Sequence, residues 1–256
     1  MSFSTANNHR GGTLPIVCVW TALLIAAPPS SAQEATDGTA KKPKWDTSIG
    51  LGFSLERGNT RNILGSADLN STRKWGIYGA EIRGSYMYGE SFGQTYADNY
   101  GGGLKVTRDF NDDRYYSYAK VDHHLDSVSD FSWFYTGPGL GWHAIQNDKL
   151  NLDLEGGAYY ERDKKGTLTI NYLALAFYEK LTYQLTETAK IWQSVSYSQQ
   201  ADLLGNYFVG DSIGIEFEIN TYLSFSNELR HTYLNQPAVG SNKHDFAYIA
   251  GIKINF

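Results

Sequence analysis

The chain has 256 residues, a formal net charge of −5 and an aromatic content of 14%. This length allows one large all-β domain or two ordinary domains. A mildly acidic, aromatic-rich chain argues against nucleic acid as a partner, because nucleic-acid-binding domains carry basic surfaces.

The first 32 residues predict a secretory signal peptide. An apolar run from Leu14 to Ala27 follows Arg10, and small residues lead to a cleavage position after Ala32. The run is shorter than the roughly 20 residues that a membrane-spanning helix needs. The only cysteine, Cys18, lies in this segment, so we expect no disulfide and no cysteine chemistry in the mature chain.

Residues 33–44 are small, polar and charged, and they predict a flexible leader rather than a domain. Composition does not change from residue 45 to residue 256, so this part is predicted to be one domain.

The domain consists of segments of about ten residues that alternate in polarity and are separated by turn residues. In the first, Trp45, Ile49, Leu51 and Phe53 share one face, and polar residues and glycines share the other. The turn Arg57-Gly58-Asn59-Thr60 follows. Eleven more strands are predicted, at or around residues 63–70, 75–88, 99–108, 115–125, 134–142, 150–161, 169–183, 191–197, 209–219, 223–230 and 245–256.

The eighth of these strands has an irregular pattern. Leu173, Leu175 and Phe177 occupy one face, and Glu179 would continue on that same face. We therefore predict a β-bulge near Glu179, because one extra residue would turn this carboxylate to the other side.

With an even number of antiparallel strands, the first strand begins and the last strand ends at the same end of the sheet. Short turns are predicted on that side, at 72–74 and at Asn220. Longer loops are predicted on the other side, at 89–96, 199–206 and 234–244. Short turns on one side and long loops on the other are typical of transmembrane barrels.

A soluble β-sandwich would also have alternating strands, but its strands average about five or six residues. Segments near ten residues fit a tilted membrane span instead. Lipid cannot hydrogen-bond an open sheet edge, so the first and last strands must pair. Aromatic residues near the predicted strand ends suggest two membrane girdles: Trp45, Trp75, Tyr115 and Trp142 on one side, and Tyr86, Tyr88, Tyr197, Tyr207 and Tyr233 on the other. The predicted fold class is thus an all-β, closed antiparallel transmembrane β-barrel of about 12 strands.

Three segments resemble a known family: the turn at 57–60, the glycine-alternating segment from Gly137 to Trp142, and the ending from Ala250 to Phe256. Over roughly residues 45–256 the chain is similar to domain-of-unknown-function family four hundred and eighty-one. Its members are often called salt-induced outer membrane proteins. The resemblance implies an outer-membrane barrel with no established activity, no cofactor and no catalytic set to transfer.

The resemblance also implies a location and partners. It places the barrel in the outer membrane of a Gram-negative bacterium and the leader at 33–44 in the periplasm. The expected partners are outer-membrane lipid and lipopolysaccharide. A terminal strand that ends on an aromatic residue, here Phe256, is what the assembly machinery of outer-membrane barrels reads.

Charged residues alternate with apolar ones along the strands and are predicted to line the lumen, because charge facing lipid is costly. They include Asp46, Asp68, Glu81, Arg83, Lys105, Lys120, Asp122, Asp153, Glu155, Glu161, Lys180, Lys190, Glu216, Glu218, Glu228, Arg230 and Lys253. One interpretation is a cross-linked network that fixes the shape of the barrel. The other is a narrow pore with a mild preference for cations, because acids outnumber bases.

An enzyme is the remaining alternative. Asp122 and His124 share a strand face, with Asp126 close by, and a carboxylate beside a histidine can begin a hydrolytic site. A calcium-assisted variant would recruit Asp126 and Asp130. No His-x-Ser pair lies near these residues to supply a nucleophile, so they are weak catalytic candidates.

Two other features favour structural interpretations. Gly101-Gly102-Gly103 is expected to leave room for bulky inward neighbours, since no helix follows it to form a phosphate loop. His143 is expected near the rim that holds the chain ends.

The function predicted from the sequence is therefore a narrow or gated pore, or a structural envelope protein, with the link to osmotic stress implied by the resemblance. Two alternatives are a lipid-modifying hydrolase that uses Asp122 and His124 at the outer rim, and a purely structural or adhesive barrel that presents its outer loops. No metal or other cofactor is expected.

Overall fold

The computed structural model describes residues 44–57, 61–110, 113–236 and 243–256. The signal peptide and all but the last residue of the leader, both predicted from the sequence, lie outside the described residues. So do residues 58–60 of the turn after the first strand.

Twelve antiparallel strands form one closed barrel in which each strand pairs with the next and the last pairs with the first. The strands are β1 (Asp46–Arg57), β2 (Arg61–Trp75), β3 (Tyr78–Ser91), β4 (Gln94–Asp109), β5 (Tyr115–Asp126), β6 (Phe131–Gln146), β7 (Leu150–Lys165), β8 (Leu168–Gln184), β9 (Ala189–Gln200), β10 (Tyr207–Asn220), β11 (Leu223–Leu234) and β12 (His244–Asn255). The predicted fold class and strand number are confirmed.

Closure is made by β1 and β12, which pair from Ser48–Asn255 to Gly52–Gly251. The backbone N–H of Phe256 also donates to the carbonyl of Thr47 at 2.9 Å. Strand number places Lys44 and Phe256 at one end of the barrel, here called the terminal rim, and the connection between β11 and β12 at the other end, the loop rim.

The outer surface carries large apolar side chains at alternate strand positions. Phe53 is 62% exposed, Leu140 64% and Phe246 70%. A single-chain barrel that exposed this much apolar area to water would aggregate, whereas the hydrocarbon core of a bilayer covers it at no cost. The exterior is therefore a membrane-facing surface.

Strand length differs from the sequence prediction. The strands contain 12 to 17 residues rather than about ten, and the turns lie at other positions. The segment 72–74 belongs to β2, and the turn is at Gly76 and Ile77; Asn220 ends β10, and the turn is at residues 221–222. Polar residues at the ends of these strands resemble turn residues in the sequence, yet they continue the ladder beyond the apolar band.

The prediction of a long loop at 89–96 is also wrong. β3 continues to Ser91 and β4 begins at Gln94, so only Phe92 and Gly93 connect them. Both have positive φ, at 50° and 78°, which is the geometry of a two-residue hairpin turn. The connections at 201–206 and 235–243 are longer. The long connections on the loop rim are therefore those from β9 to β10 and from β11 to β12.

The β-bulge predicted near Glu179 is absent from β8, whose register with both neighbours is uninterrupted. Glu179 pairs with Leu154 on β7 and with Val195 on β9, so its carboxylate stays on the membrane-facing side. The bulges in the described chain lie elsewhere, near Gly89, His143 and Glu218.

Within the residues that the structure describes, no helix is both long and apolar enough to cross a membrane.

Candidate functional site: the barrel interior

The registers place the charged residues singled out from the sequence on one common face, the inside of the barrel. Glu81 pairs with Lys105, which pairs with Lys120, and this row continues around the wall. The same parity places Asp46, Asp68, Arg83, Asp122, Asp153, Glu155, Glu161, Lys180, Lys190, Glu216, Glu218, Glu228, Arg230 and Lys253 inward.

Four tyrosines fill one side of the interior, here called the tyrosine wall: Tyr116, Tyr118, Tyr135 and Tyr159, on β5, β6 and β7. Tyr116, Tyr118 and Tyr159 are the most buried of the four, at 5%, 4% and 2% exposure. The hydroxyls of Tyr118 and Tyr159 are 2.5 Å apart and hydrogen-bonded. Side chains therefore occupy this side of the lumen.

Glycines on β6 make this packing possible. A Cβ atom on Gly139 would overlap the ring of Tyr118, and one on Gly141 would overlap the ring of Tyr116. The glycine-alternating segment found in the sequence thus forms a groove in which aromatic rings lie flat against the backbone of the next strand.

An ion pair anchors the tyrosine wall. The Lys105 ammonium donates to Glu155 Oε1, and the Tyr116 hydroxyl donates to the same oxygen at 2.7 Å. Glu155 is 7% exposed. The Lys120 ammonium lies 4.6 Å from the centre of the Tyr159 ring, which is cation–π geometry.

A second ion pair joins β3 to β5. Arg83 Nη2 donates to Asp122 Oδ1 at 2.8 Å, and the pair lies over Gly103, where a Cβ would overlap the same carboxylate oxygen. The glycine run at 101–103 therefore leaves space for inward side chains, as its sequence context indicated.

The opposite side of the interior, formed by β9–β12, β1 and β2, has many serines and glycines and is here called the serine wall. Its inward serines and glycines include Ser194, Ser196, Ser198, Gly210, Ser212, Gly214, Ser226, Gly251, Ser48, Gly50, Gly52 and Ser66, and charged residues such as Glu216, Glu228 and Arg230 lie on the same face. Trp192 is the largest inward side chain there, and its indole lies flat over Gly214, where a Cβ would be 2.5 Å from the ring.

A polar cavity of about 300 Å³ opens along the serine wall near the terminal rim. Glu216 lines this cavity. Its Oε1 atom lies 3.0 Å from the Lys190 ammonium, and its Oε2 atom lies 3.6 Å from the Lys253 ammonium. Asp46 and Glu218 also line the cavity, and neither forms an ion pair with another described residue. Acids thus exceed bases by one at this opening.

The residues proposed for hydrolysis are not assembled into a catalytic group. Asp122 binds Arg83, whereas the His124 ring stacks on Trp133 with centroids 5.5 Å apart. Asp126 accepts the backbone N–H groups of Val128 and Ser129, and so it caps the turn between β5 and β6. No cluster suited to a metal ion occurs in the described ranges.

Histidines take part in two further groups of polar contacts. His143 lies inward near the terminal rim, with Nδ1 2.5 Å from Asp153 Oδ1. A second cluster, which no sequence pattern indicates, lies on the outer surface: His231 Nδ1 is 2.8 Å from Asp211 Oδ2, and its Nε2 is 3.0 Å from His244 Nδ1. These residues are 13 and 20 positions apart, so only the register brings them together.

The aromatic residues named as girdles lie at outward positions near both rims. Tyr115 and Trp142 stack 6.1 Å apart near the terminal rim, where the Arg73 guanidinium also lies 5.8 Å from the Trp45 ring centre. Tyr207 lies between Tyr197 and Tyr233 near the loop rim, at 6.0 Å and 5.9 Å. The other three members are Trp75, Tyr86 and Tyr88, and Tyr86 lies 5.0 Å from Tyr100.

A closed barrel with an apolar exterior and a polar, ionised interior defines a transmembrane β-barrel of the outer-membrane kind. Solved structures share this fold. An outer membrane channel from Pseudomonas putida F1 has a TM-score of 0.53 at 8% identity, covering 87% of this chain and 100% of its own. The translocator domain of autotransporter NalP from Neisseria meningitidis has a TM-score of 0.50 at 12% identity, covering 88% and 90%.

The family model described as protein of unknown function, DUF481, matches residues 49–256, and the chain belongs to this family. No curated protein matches the chain in sequence.

Proposed function

We propose that the protein is a narrow, cation-preferring pore in the outer membrane of a Gram-negative bacterium. The observation that carries the proposal is the division of the interior into two unlike halves. Aromatic rings fill the side formed by the tyrosine wall, whereas the serine wall has many serines and glycines and contains the polar cavity near the terminal rim. A route for water and small ions would follow the serine wall from the cavity at the terminal rim.

The charge at that cavity favours cations. Glu216 pairs with both Lys190 and Lys253, whereas Asp46 and Glu218 have no basic partner among the described residues. An excess of negative charge at a pore entrance raises the local concentration of cations, and salt screens this effect over a Debye length of about 10 Å at 0.1 M.

The width of the proposed pore follows from strand number and side-chain filling. Barrels of about 8 strands are filled by side chains, and those of about 16 leave a wide channel. A twelve-stranded barrel whose tyrosine wall fills one side of the lumen would pass ions and small solutes rather than polymers. The resemblance to salt-induced outer membrane proteins is the reason to propose that such a pore adjusts the envelope to osmotic stress.

Planar bilayer recordings with the purified protein test this proposal. We expect discrete conductance steps and a reversal potential, in a salt gradient, that indicates preference for the cation. The double variant Asp46→Asn/Glu218→Gln should reduce this preference, while the double variant Asp148→Asn/Glu187→Gln, with the same charge change in turns at the same rim, should change it less. Absence of conductance steps over a range of pH and salt would refute the pore.

A structural barrel is the second candidate function, and the buried tyrosine cluster favours it. Side chains that lock the lumen with hydrogen bonds and ion pairs stabilise a shape but close a channel. This candidate predicts a folded, membrane-inserted protein without conductance, so the same recordings separate the two functions.

We also propose that Phe256 is part of the signal recognised by the barrel-assembly machinery. Phe256 is 71% exposed at the terminal rim, where it is accessible. The variant Phe256→Ser should reduce the folded fraction in cell membranes, while the purified variant should refold in detergent as the wild type does. Equal amounts of folded protein in the cell would remove this role.

A further inference from the structure

An outward-facing groove near the loop rim combines basic and apolar side chains. It has a volume of about 340 Å³ and is lined by His123, Ser132, Phe134, Arg162 and Lys164. All five residues are on β5, β6 and β7, on the membrane-facing side of the barrel and not in the lumen.

The register explains how these residues come together. His123 is directly opposite Phe134, and Phe134 is directly opposite Arg162, so the three form one row across three strands. Lys164 is opposite Ser132 in the next row toward the loop rim. Directly opposite residues are about 4.5–5.5 Å apart, so Phe134 forms a floor with basic groups on both sides.

Among the described residues, the basic groups of the groove have no acidic partner. Arg162 and Lys164 are exposed, and in the described part of the chain neither they nor His123 form an ion pair. Inward bases behave differently: Arg83, for example, is bound to Asp122 at 2.8 Å. The groove therefore presents positive charge that the protein does not neutralise.

The groove lies at the level where lipid headgroups begin. Tyr160 is the next outward residue from Arg162 toward the membrane centre, and its hydroxyl donates to Asn171 Oδ1 at 2.9 Å. Asn171 is opposite Arg162 on β8, so the phenol points toward the rim. Deeper positions are aliphatic, with Leu173 53% and Leu175 54% exposed. A tyrosine between leucines and basic residues is the order expected across a membrane interface.

We propose that this groove binds the phosphate group of an anionic lipid in the leaflet at the loop rim. Arg162 would hold the phosphate oxygens through its planar guanidinium, and Lys164 would add a second positive charge. Phe134 and Tyr160 would contact the apolar part of the same lipid. A lipid is the occupant because the groove opens toward the membrane at headgroup depth, where free anions are less concentrated than lipid phosphates.

Binding measurements on the detergent-solubilised protein test this site with three probes: bisphosphorylated lipid A, the same lipid A with its phosphates removed, and inorganic phosphate. The variant Arg162→Gln/Lys164→Gln should bind bisphosphorylated lipid A about 10- to 30-fold more weakly than the wild type, as expected for two lost surface charge contacts. The control Arg114→Gln/Lys149→Gln removes two exposed charges at the terminal rim and should bind as the wild type does.

The outcomes are decisive in both directions. Wild-type affinity should fall when the lipid A phosphates are removed, and raising salt should weaken wild-type binding more than binding by the Arg162/Lys164 variant. Equal affinities of this variant and the wild type, or equal affinities for the two lipids, would overturn the proposal. Inorganic phosphate binding as tightly as the lipid would identify a simple anion site instead. The groove is on the outside of the barrel, so this result is independent of the conductance test.

Discussion

At the scale of single residues, glycine positions determine which part of the lumen is filled. The rings of Tyr116 and Tyr118 lie where side chains of Gly141 and Gly139 would otherwise project. An alanine at either position would force the tyrosine ring away from the wall. Other glycines have room for a side chain: a methyl group added at Gly156 would have Ala176 O as its nearest neighbour, at 4.0 Å.

We expect Gly139→Ala to lower the free energy of unfolding by about 1–3 kcal/mol, the usual cost of overpacking. Gly156→Ala is the matched control, because it makes the same backbone change without meeting a ring, and its effect should stay within about 0.5 kcal/mol. Urea unfolding in lipid vesicles, followed by tryptophan fluorescence, measures both. Equal effects of the two variants would show that Tyr118 does not need the groove.

The Lys105–Glu155 pair gives a second prediction at this scale. Lys105→Met leaves the buried Glu155 carboxylate without its charge partner, which should cost about 3–5 kcal/mol. The double variant Lys105→Met/Glu155→Gln should recover part of that loss, because it removes the charge that needs the partner. The same unfolding assay measures this, and a double variant less stable than Lys105→Met would contradict the pairing.

At the scale of elements, the seam between β1 and β12 is paired over only part of its length. The two strands pair from Ser48–Asn255 to Gly52–Gly251, whereas β11 pairs with β12 along its whole length, from Leu223–Ile254 to Tyr233–His244. The half of the seam toward the loop rim therefore has fewer backbone hydrogen bonds than the rest of the barrel.

Hydrogen exchange should detect this difference within one strand. Amides of β12 from residue 244 to 250 pair only with β11 and should exchange faster than those from 251 to 255, which pair on both sides. The segment 229–234 of β11 is the control, because it lies at the same level and pairs with both β10 and β12. Equal protection of residues 244–250 and 229–234 from hydrogen exchange would indicate that β1 and β12 pair along their whole length.

Sequence periodicity predicts more about the strands than about their ends. The two-residue period is enough to put Leu173, Leu175 and Phe177 outward, because each strand has one lipid-facing side. It fails for Glu179, since no local signal distinguishes a bulge from a carboxylate that stays on the outer face near the rim. It also fails for the turn at Phe92, where the positive φ depends on how β3 and β4 twist together.

At the scale of the whole molecule, the asymmetric lumen was beyond sequence reasoning. The charged inward residues can be assigned strand by strand, but their partners are 39 positions apart for Arg83 and Asp122, and 50 for Lys105 and Glu155. Partner choice depends on the shear of the closed barrel and on the glycines that let rings lie flat. The division into a tyrosine wall and a serine wall emerges only when all twelve strands are arranged in order.

Accessibility of the two walls to water tests the account most directly. The only cysteine, Cys18, is in the predicted signal peptide, so single cysteines can be introduced without background. In lipid vesicles, a water-soluble thiol reagent should label Ser212→Cys on the serine wall. It should not label Ala174→Cys, which is fully buried directly opposite Tyr159, or Leu175→Cys, which faces lipid. Labelling of Ala174→Cys with protection of Ser212→Cys would contradict the account.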